Sequence, residues 1–218
     1  MTEAAHERGL EVVCVIDDDA DVRASLDSLL RAAGYRTRTF ASPEEFLGCA
    51  SDAACLILDV HLQNADGLSF QQELLESEAT IPVVLMTGYG DIPMSVRAMK
   101  AGAVNFLTKP FSDSEMIAAV EEAVDLGRRG RQKADDQEDL RALFDSLTSR
   151  EREVLSLVTA GLMNKQVAAR LGVSEVTVKI HRGNLMRKMQ AQSLADLVRM
   201  AEALGAREAS ASRYSWRG

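Results

Sequence analysis

Three short apolar runs, Val12-Val-Cys-Val-Ile16, Cys55-Leu-Ile-Leu58 and Val83-Val-Leu-Met86, punctuate the first half of the chain. None of them alternates with polar residues, so each predicts a strand covered on both faces, which is the mark of a parallel sheet. Weaker strands are expected at 36 to 40 and 104 to 107, and apolar residues at helical spacing fall at about 20 to 33, 43 to 50, 67 to 77, 92 to 101 and 113 to 127. Five βα units in this order predict an α/β domain with a five-stranded, doubly wound parallel sheet. In such sheets the functional groups gather beyond the carboxyl ends of the strands.

The pattern changes at Gly127. Residues 128 to 145 carry a basic block and then an acidic one, with few apolar positions, and predict a charged linker that is partly helical at most. Beyond it, Thr148-Ser-Arg-Glu151 has the capping-box spacing that opens a helix. Helices are expected at about 149 to 160, 164 to 171, 175 to 189 and 194 to 204, punctuated by Gly161, Gly172, Ser174 and Ser193. The expected organisation is an extension at 1 to 10, an α/β domain at 11 to 127, the linker at 128 to 145, a small all-α domain at 146 to 205 and a fraying tail at 206 to 218.

Charge sharpens this division. Residues 1 to 127 hold 8 Lys+Arg against 22 Asp+Glu, a balance of -14, whereas residues 146 to 218 hold 12 against 6, a balance of +6. The front half is unsuited to polyanions, and the back half can approach DNA phosphates favourably. No apolar run nears the roughly 18 residues of a membrane span and no leader pattern opens the chain, so a cytoplasmic protein without a membrane partner is expected. Cys14, Cys49 and Cys55 lack metal-ligand spacing, and neither a disulfide nor a zinc site is expected.

Asp17 and Asp18 follow the first strand, Asp59 ends the third, Thr87 ends the fourth and Lys109 follows the fifth, so a parallel sheet would bring all five to one edge. Clustered carboxylates repel one another, and a hard divalent cation with oxygen ligands, Mg²⁺, relieves the repulsion. Such a site suits attack by a carboxylate on phosphorus, with Lys109 and Thr87 receiving the added oxygens. Taken singly, each residue also has a plain reading as a helix-start, loop or surface group.

Val15-Ile-Asp-Asp-Asp19, Leu58-Asp-Val60, Met86-Thr-Gly-Tyr-Gly-Asp91 and the run from Ala98 to Phe111 resemble the receiver domains of response regulators, nearest the FixJ-like branch of the NarL/FixJ family. The resemblance implies a flavodoxin-like receiver phosphorylated on Asp59 by a sensor histidine kinase. It implies Asp17 and Asp18 as the acidic pair at the Mg²⁺ site, with Asp18, Asp59 and the main-chain carbonyl of His61 as ligands. It also implies a cis peptide at Lys109-Pro110. Thr87 and Phe106 take the switch positions; Phe106 stands where many relatives have Tyr, and a plain core aromatic is the alternative. The only chemistry expected is Mg²⁺-dependent self-phosphorylation from a phosphodonor and slow self-dephosphorylation.

In the back half, residues 164 to 174 and 175 to 189 read as helix, Gly-containing turn, helix. Val167, Ala168, Leu171, Val176, Val178, Ile180, Leu185 and Met189 are expected to form the packing face. Lys179, Arg182, Asn184, Arg187 and Lys188 are expected on the opposite side, shaped for a major groove. Residues 147 to 204 are similar to LuxR/GerE-type output domains, and by that resemblance Thr177, Lys179, Arg182 and Asn184 lie nearest DNA. The implied partners are a sensor kinase, double-stranded promoter DNA, a second copy of the chain on phosphorylation, and RNA polymerase.

Other functions fit less well. Haloacid-dehalogenase-type phosphotransferases need an acid two residues after the nucleophile, where this chain has His61. Readers of single-stranded RNA use exposed aromatics, and residues 146 to 205 contain no Tyr or Trp. A scaffold role would require that the output domain bind no duplex.

Overall fold

The computed structural model describes residues 11–48, 52–63, 65–77 and 81–206. The extension at 1 to 10, Cys49 and the tail beyond Ala206 lie outside the described residues. The chain divides into two compact units between Arg131 and Gln132.

The first unit is built on β1 (Val12–Ile16), β2 (Arg36–Phe40), β3 (Ala53–Asp59), β4 (Val83–Thr87) and β5 (Asn105–Thr108), with α1 (Ala20–Ala32), α2 (Pro43–Leu47), α3 (Gly67–Glu76), α4 (Ile92–Lys100) and the start of α5 (Asp113–Asp145). All the strand pairs are parallel, in the order β2-β1-β3-β4-β5. Every residue of β1, β3 and β4 is buried, as their uninterrupted apolar runs require. One face of the sheet presents Cys14, Ile16, Leu56, Leu58 and Leu85 to Phe46, Phe70, Leu74 and Ala98. The other presents Val13, Val15, Cys55, Ile57 and Met86 to Leu26, Leu30, Met116, Val120 and Val124. Each such apolar side chain contributes roughly 1.5–3 kcal/mol, and together they fix which ends of the strands lie side by side.

The second unit contains the end of α5 and α6 (Ser149–Thr159), α7 (Asn164–Leu171), α8 (Glu175–Lys188) and α9 (Leu194–Ala203) around Val154, Leu155, Val167, Val178, Leu185, Met189 and Leu197. Thr148 and Glu151 form the expected capping box, and Gly172 closes α7 in the left-handed conformation, with φ 68°. Among the described residues, no helix is long and apolar enough to cross a membrane.

Two expectations fail. The segment 128 to 145 is helical throughout, continuing α5 without interruption. Its apolar poverty is offset locally: Arg131 bonds Glu11 at 3.0 Å, Gln132 bonds Asp136 at 2.9 Å, and Leu140, Leu143 and Phe144 pack on the second core. Val176 and Ile180 are 66% and 59% exposed rather than packed. On a helix, residues two apart stand about 200° apart, so neighbours of buried Val178 at this spacing face outward.

Candidate functional site

The parallel register carries the predicted chemistry to one edge. Asp17, which continues from β1, is fully buried, Asp59 is 6% exposed at the end of β3, and Thr87 is buried at the end of β4. Lys109 follows β5 and is held there by its backbone N–H, which donates to the Thr87 carbonyl at 2.7 Å. The Lys109–Pro110 peptide is cis, as the resemblance implied.

Lys109 Nζ donates to Asp17 Oδ2 and to Asp59 Oδ2, each at 2.7 Å. The remaining oxygens are oriented by the main chain. Asp17 Oδ1 accepts the Asp19 N–H at 2.8 Å, and Asp59 Oδ1 accepts the His61 N–H at 3.0 Å. Burial pushes the Asp17 carboxyl above the usual aspartate value, against the opposing pull of Lys109. Burial alone would lower the Lys109 ammonium, but its hydrogen bonds to Asp17 and Asp59 outweigh that effect and hold it above the ordinary lysine value.

Carboxylate oxygens of Asp17, Asp18 and Asp59 lie within 4.8 Å of one another. Three carboxylates against one ammonium leave a formal excess of negative charge, and the donors are all hard oxygens. That donor set fits a divalent cation of the Mg²⁺ type.

The switch candidates lie beside this cluster. Thr87 Oγ1 is 2.9 Å from His61 Nδ1 and accepts the Tyr89 N–H at 3.2 Å. Phe106 is half-buried against the core. Two glycines that sequence reasoning passed over hold this edge together. A Cβ on Gly67 would overlap the Asp59 carbonyl oxygen, and one on Gly90 would overlap the Thr108 methyl and approach the Phe106 ring to 3.2 Å and the Thr87 methyl to 3.4 Å. Nothing in the local sequence distinguishes them from ordinary turn glycines.

In the second unit the candidate groups of α8 divide by their partners. Val176, Lys179, Ile180, Gly183 and Arg187 are exposed and recur at helical spacing, so they form one outward stripe. Arg182 Nη1 donates to Asn164 Oδ1 at 3.1 Å, and Arg187 Nη2 donates to Asn184 Oδ1 at 2.8 Å. The Thr177 N–H is capped by Ser174 Oγ at 3.1 Å. Lys188 is turned away from the stripe: its ammonium bonds the buried Glu151 at 2.7 Å and the Ser146 carbonyl at 3.1 Å.

A doubly wound domain with a lysine-bridged carboxylate pair at its strand ends, followed by a helix-turn-helix unit, defines a class: signal-receiving proteins that carry a nucleic-acid-binding output. Residues 13–121 match the response regulator receiver domain, and residues 145–201 match the bacterial regulatory proteins of the luxR family. The chain is 48% identical to nodulation protein W of Bradyrhizobium diazoefficiens over 196 residues, 89% of this chain and 86% of that one. It is 43% identical to the transcriptional regulatory protein FixJ of Rhizobium meliloti over 195 residues, 88% of this chain and 96% of that one. The solved structure of the response regulator StyR superposes with a TM-score of 0.79 at 45% identity, covering 88% of this chain and 98% of that one. The chain therefore belongs to the FixJ-like response regulators of two-component systems, with a receiver and a LuxR-type DNA-binding domain.

Proposed function

We propose that this regulator is switched by a phosphoryl group on Asp59, delivered by a cognate sensor histidine kinase or by a small acyl phosphate. The observation that carries the reading is the Lys109 ammonium 2.7 Å from Asp59 Oδ2, in a cluster of three carboxylates at the strand ends. An Asp59 oxygen attacks phosphorus, the bond from phosphorus to the donor's imidazole nitrogen or acyl oxygen breaks, and an aspartyl phosphate results. Asp18, Asp59 and the His61 carbonyl would hold Mg²⁺, with Asp17 completing the acidic pair. When bound, that ion supplies charge neutralisation and polarisation of a phosphoryl oxygen. Lys109 then exchanges a carboxylate partner for a phosphoryl oxygen, and Thr87 turns its hydroxyl toward the new group. Phe106 turns inward into the space vacated, which alters the surface of α4 and β5 and favours a second copy of the chain.

The output reading follows from the charge balance and from the α8 stripe. Lys179 and Arg187 meet phosphates or base edges, and Arg182, Asn184 and Thr177 stand at the margins of the same face. Val176 and Ile180 are apolar, exposed and one turn apart, which suits the methyl groups of thymines in a major groove. Promoter DNA is the expected target, with RNA polymerase as a further partner.

The acceptor assignment is tested by incubation with Mg²⁺ and labelled acetyl phosphate or kinase. Asp59→Asn removes the nucleophile with little change in shape, and its labelling is expected to fall to background. Undiminished labelling of the variant would overturn the assignment.

A further inference from the structure

One contact at the receiver edge is used neither by the acceptor chemistry nor by the cation site. The ring of His61 reaches Thr87, its Nδ1 lying 2.9 Å from Oγ1. The same oxygen already accepts the Tyr89 N–H, and Thr87 is fully buried. A hydroxyl has one proton and two lone pairs, so these two bonds engage most of its capacity. Whichever atom donates in the His61 bond, turning Oγ1 toward a group on Asp59 breaks it.

The main chain of His61 is fixed at the other end of this arrangement. Its N–H donates to Asp59 Oδ1 at 3.0 Å, its backbone bridges to Asp66, and the Gly67 N–H closes the loop on the Val60 carbonyl at 2.9 Å. The Tyr89 ring stands edge-on to the imidazole at 6.3 Å. One residue thus touches the acceptor carboxylate through its backbone and the switch hydroxyl through its side chain.

We propose that His61 is a positioning residue, a latch that holds Thr87 in the unphosphorylated arrangement and thereby sets how readily the receiver switches. The inference rests on the reading of Asp59 as acceptor and Thr87 as switch. Its chemistry is competition: a phosphoryl oxygen on Asp59 must displace the imidazole from the Thr87 hydroxyl. Removing the ring removes the competitor but keeps the His61 carbonyl that the cation reading requires.

The full chain is titrated with beryllofluoride in Mg²⁺, following mimic uptake by fluorine NMR and the Thr87 methyl by carbon–proton NMR. Loss of one competing hydrogen bond predicts that His61→Ala binds the mimic roughly two- to tenfold more tightly than the parent. The Thr87 methyl of mimic-free His61→Ala is expected to move toward its position in the mimic-loaded parent. His61→Asn places a hydrogen-bonding atom near the site of Nδ1 and is expected to restore parental affinity; it also serves if His61→Ala does not fold. In a Thr87→Val background, His61→Ala is expected to leave mimic affinity unchanged.

Parental affinity and an unmoved methyl in His61→Ala would overturn the latch. So would an equal gain in the Thr87→Val background, because the ring would then act by shielding Asp59 rather than by holding Thr87. If the parent itself takes up no mimic, the acceptor reading fails. The latch is still judged in mimic-free protein by the His61 ring nitrogen shifts, which must change in Thr87→Val if the contact exists.

Discussion

Glu151 sits 3% exposed at the first turn of α6, where its carboxylate bonds the Thr148 N–H at 2.9 Å and the Lys188 ammonium at 2.7 Å. Burial raises its carboxyl, but those hydrogen bonds and the lysine charge outweigh burial and hold it below the usual glutamate value. A carboxyl lowered by folding contributes stability that is complete above its unfolded value, about 4.3, and is lost as pH falls through the lower folded value. Thermal unfolding of the second unit is therefore expected to weaken steeply below about pH 4.3. Glu151→Gln should cost about 1–2 kcal/mol at neutral pH and flatten that acid limb. An unchanged melting profile would mean that the Lys188 pair and the cap contribute nothing. Lys188 looked in the sequence like one more cation on a DNA-facing helix, because its partner lies 37 residues away on another element.

At the scale of elements, α8 invites the sharpest test. Lys179 lies on its outward stripe and Lys188 does not, so Lys179→Ala should lower the salt slope of duplex binding by about one unit if it contacts a phosphate. Ile180→Ala should leave the slope unchanged and weaken only sites with a thymine at the contacted position, by roughly 1–3 kcal/mol. Titrations on a matched pair of duplexes at several salt concentrations separate the two, and equal losses on both duplexes would count against thymine reading. The sheet strands were legible because burial on both faces leaves no polar position in β1, β3 or β4. Asp17, Asp18, Asp59, Thr87 and Lys109 were legible for a related reason, since parallel strands of fixed polarity must bring their ends together. The second half of α5 was not legible: Gly127, Gly130 and two charge blocks read as linker, whereas the helix is held by Glu11 at one place and by Leu140 and Phe144 at another. The His61 ring contact with Thr87 was equally hidden, because it depends on the path of the loop to Gly67.

For the whole molecule, the exposed apolar residues Ile92, Val96 and Met99 on α4, at 80%, 45% and 49% exposure, are the surface on which a phosphorylated pair would form. Two linked output units on adjacent half-sites gain an effective concentration that one lacks, so a modest shift toward the dimer becomes a large change in occupancy. Light scattering is expected to show the mass doubling with beryllofluoride and Mg²⁺, and DNA titration to show tighter binding under the same conditions. A bound mimic that changes neither mass nor affinity would overturn activation by dimerisation. The charge division adds a signature. Bringing two acidic receivers together is helped by salt, whereas output binding to DNA is hindered by it, so the two steps should respond to ionic strength with opposite signs.

Cys14 and Cys55 lie on neighbouring strands but look into opposite layers of the receiver, and neither thiol reaches water. Burial also pushes the Cys55 thiol far up, which suppresses the thiolate through which cysteines react. An alkylating reagent can therefore reach them only when the sheet parts from its helices. The pair acts as a built-in clock, one hand in each layer, that records how often the receiver opens and whether both layers open together.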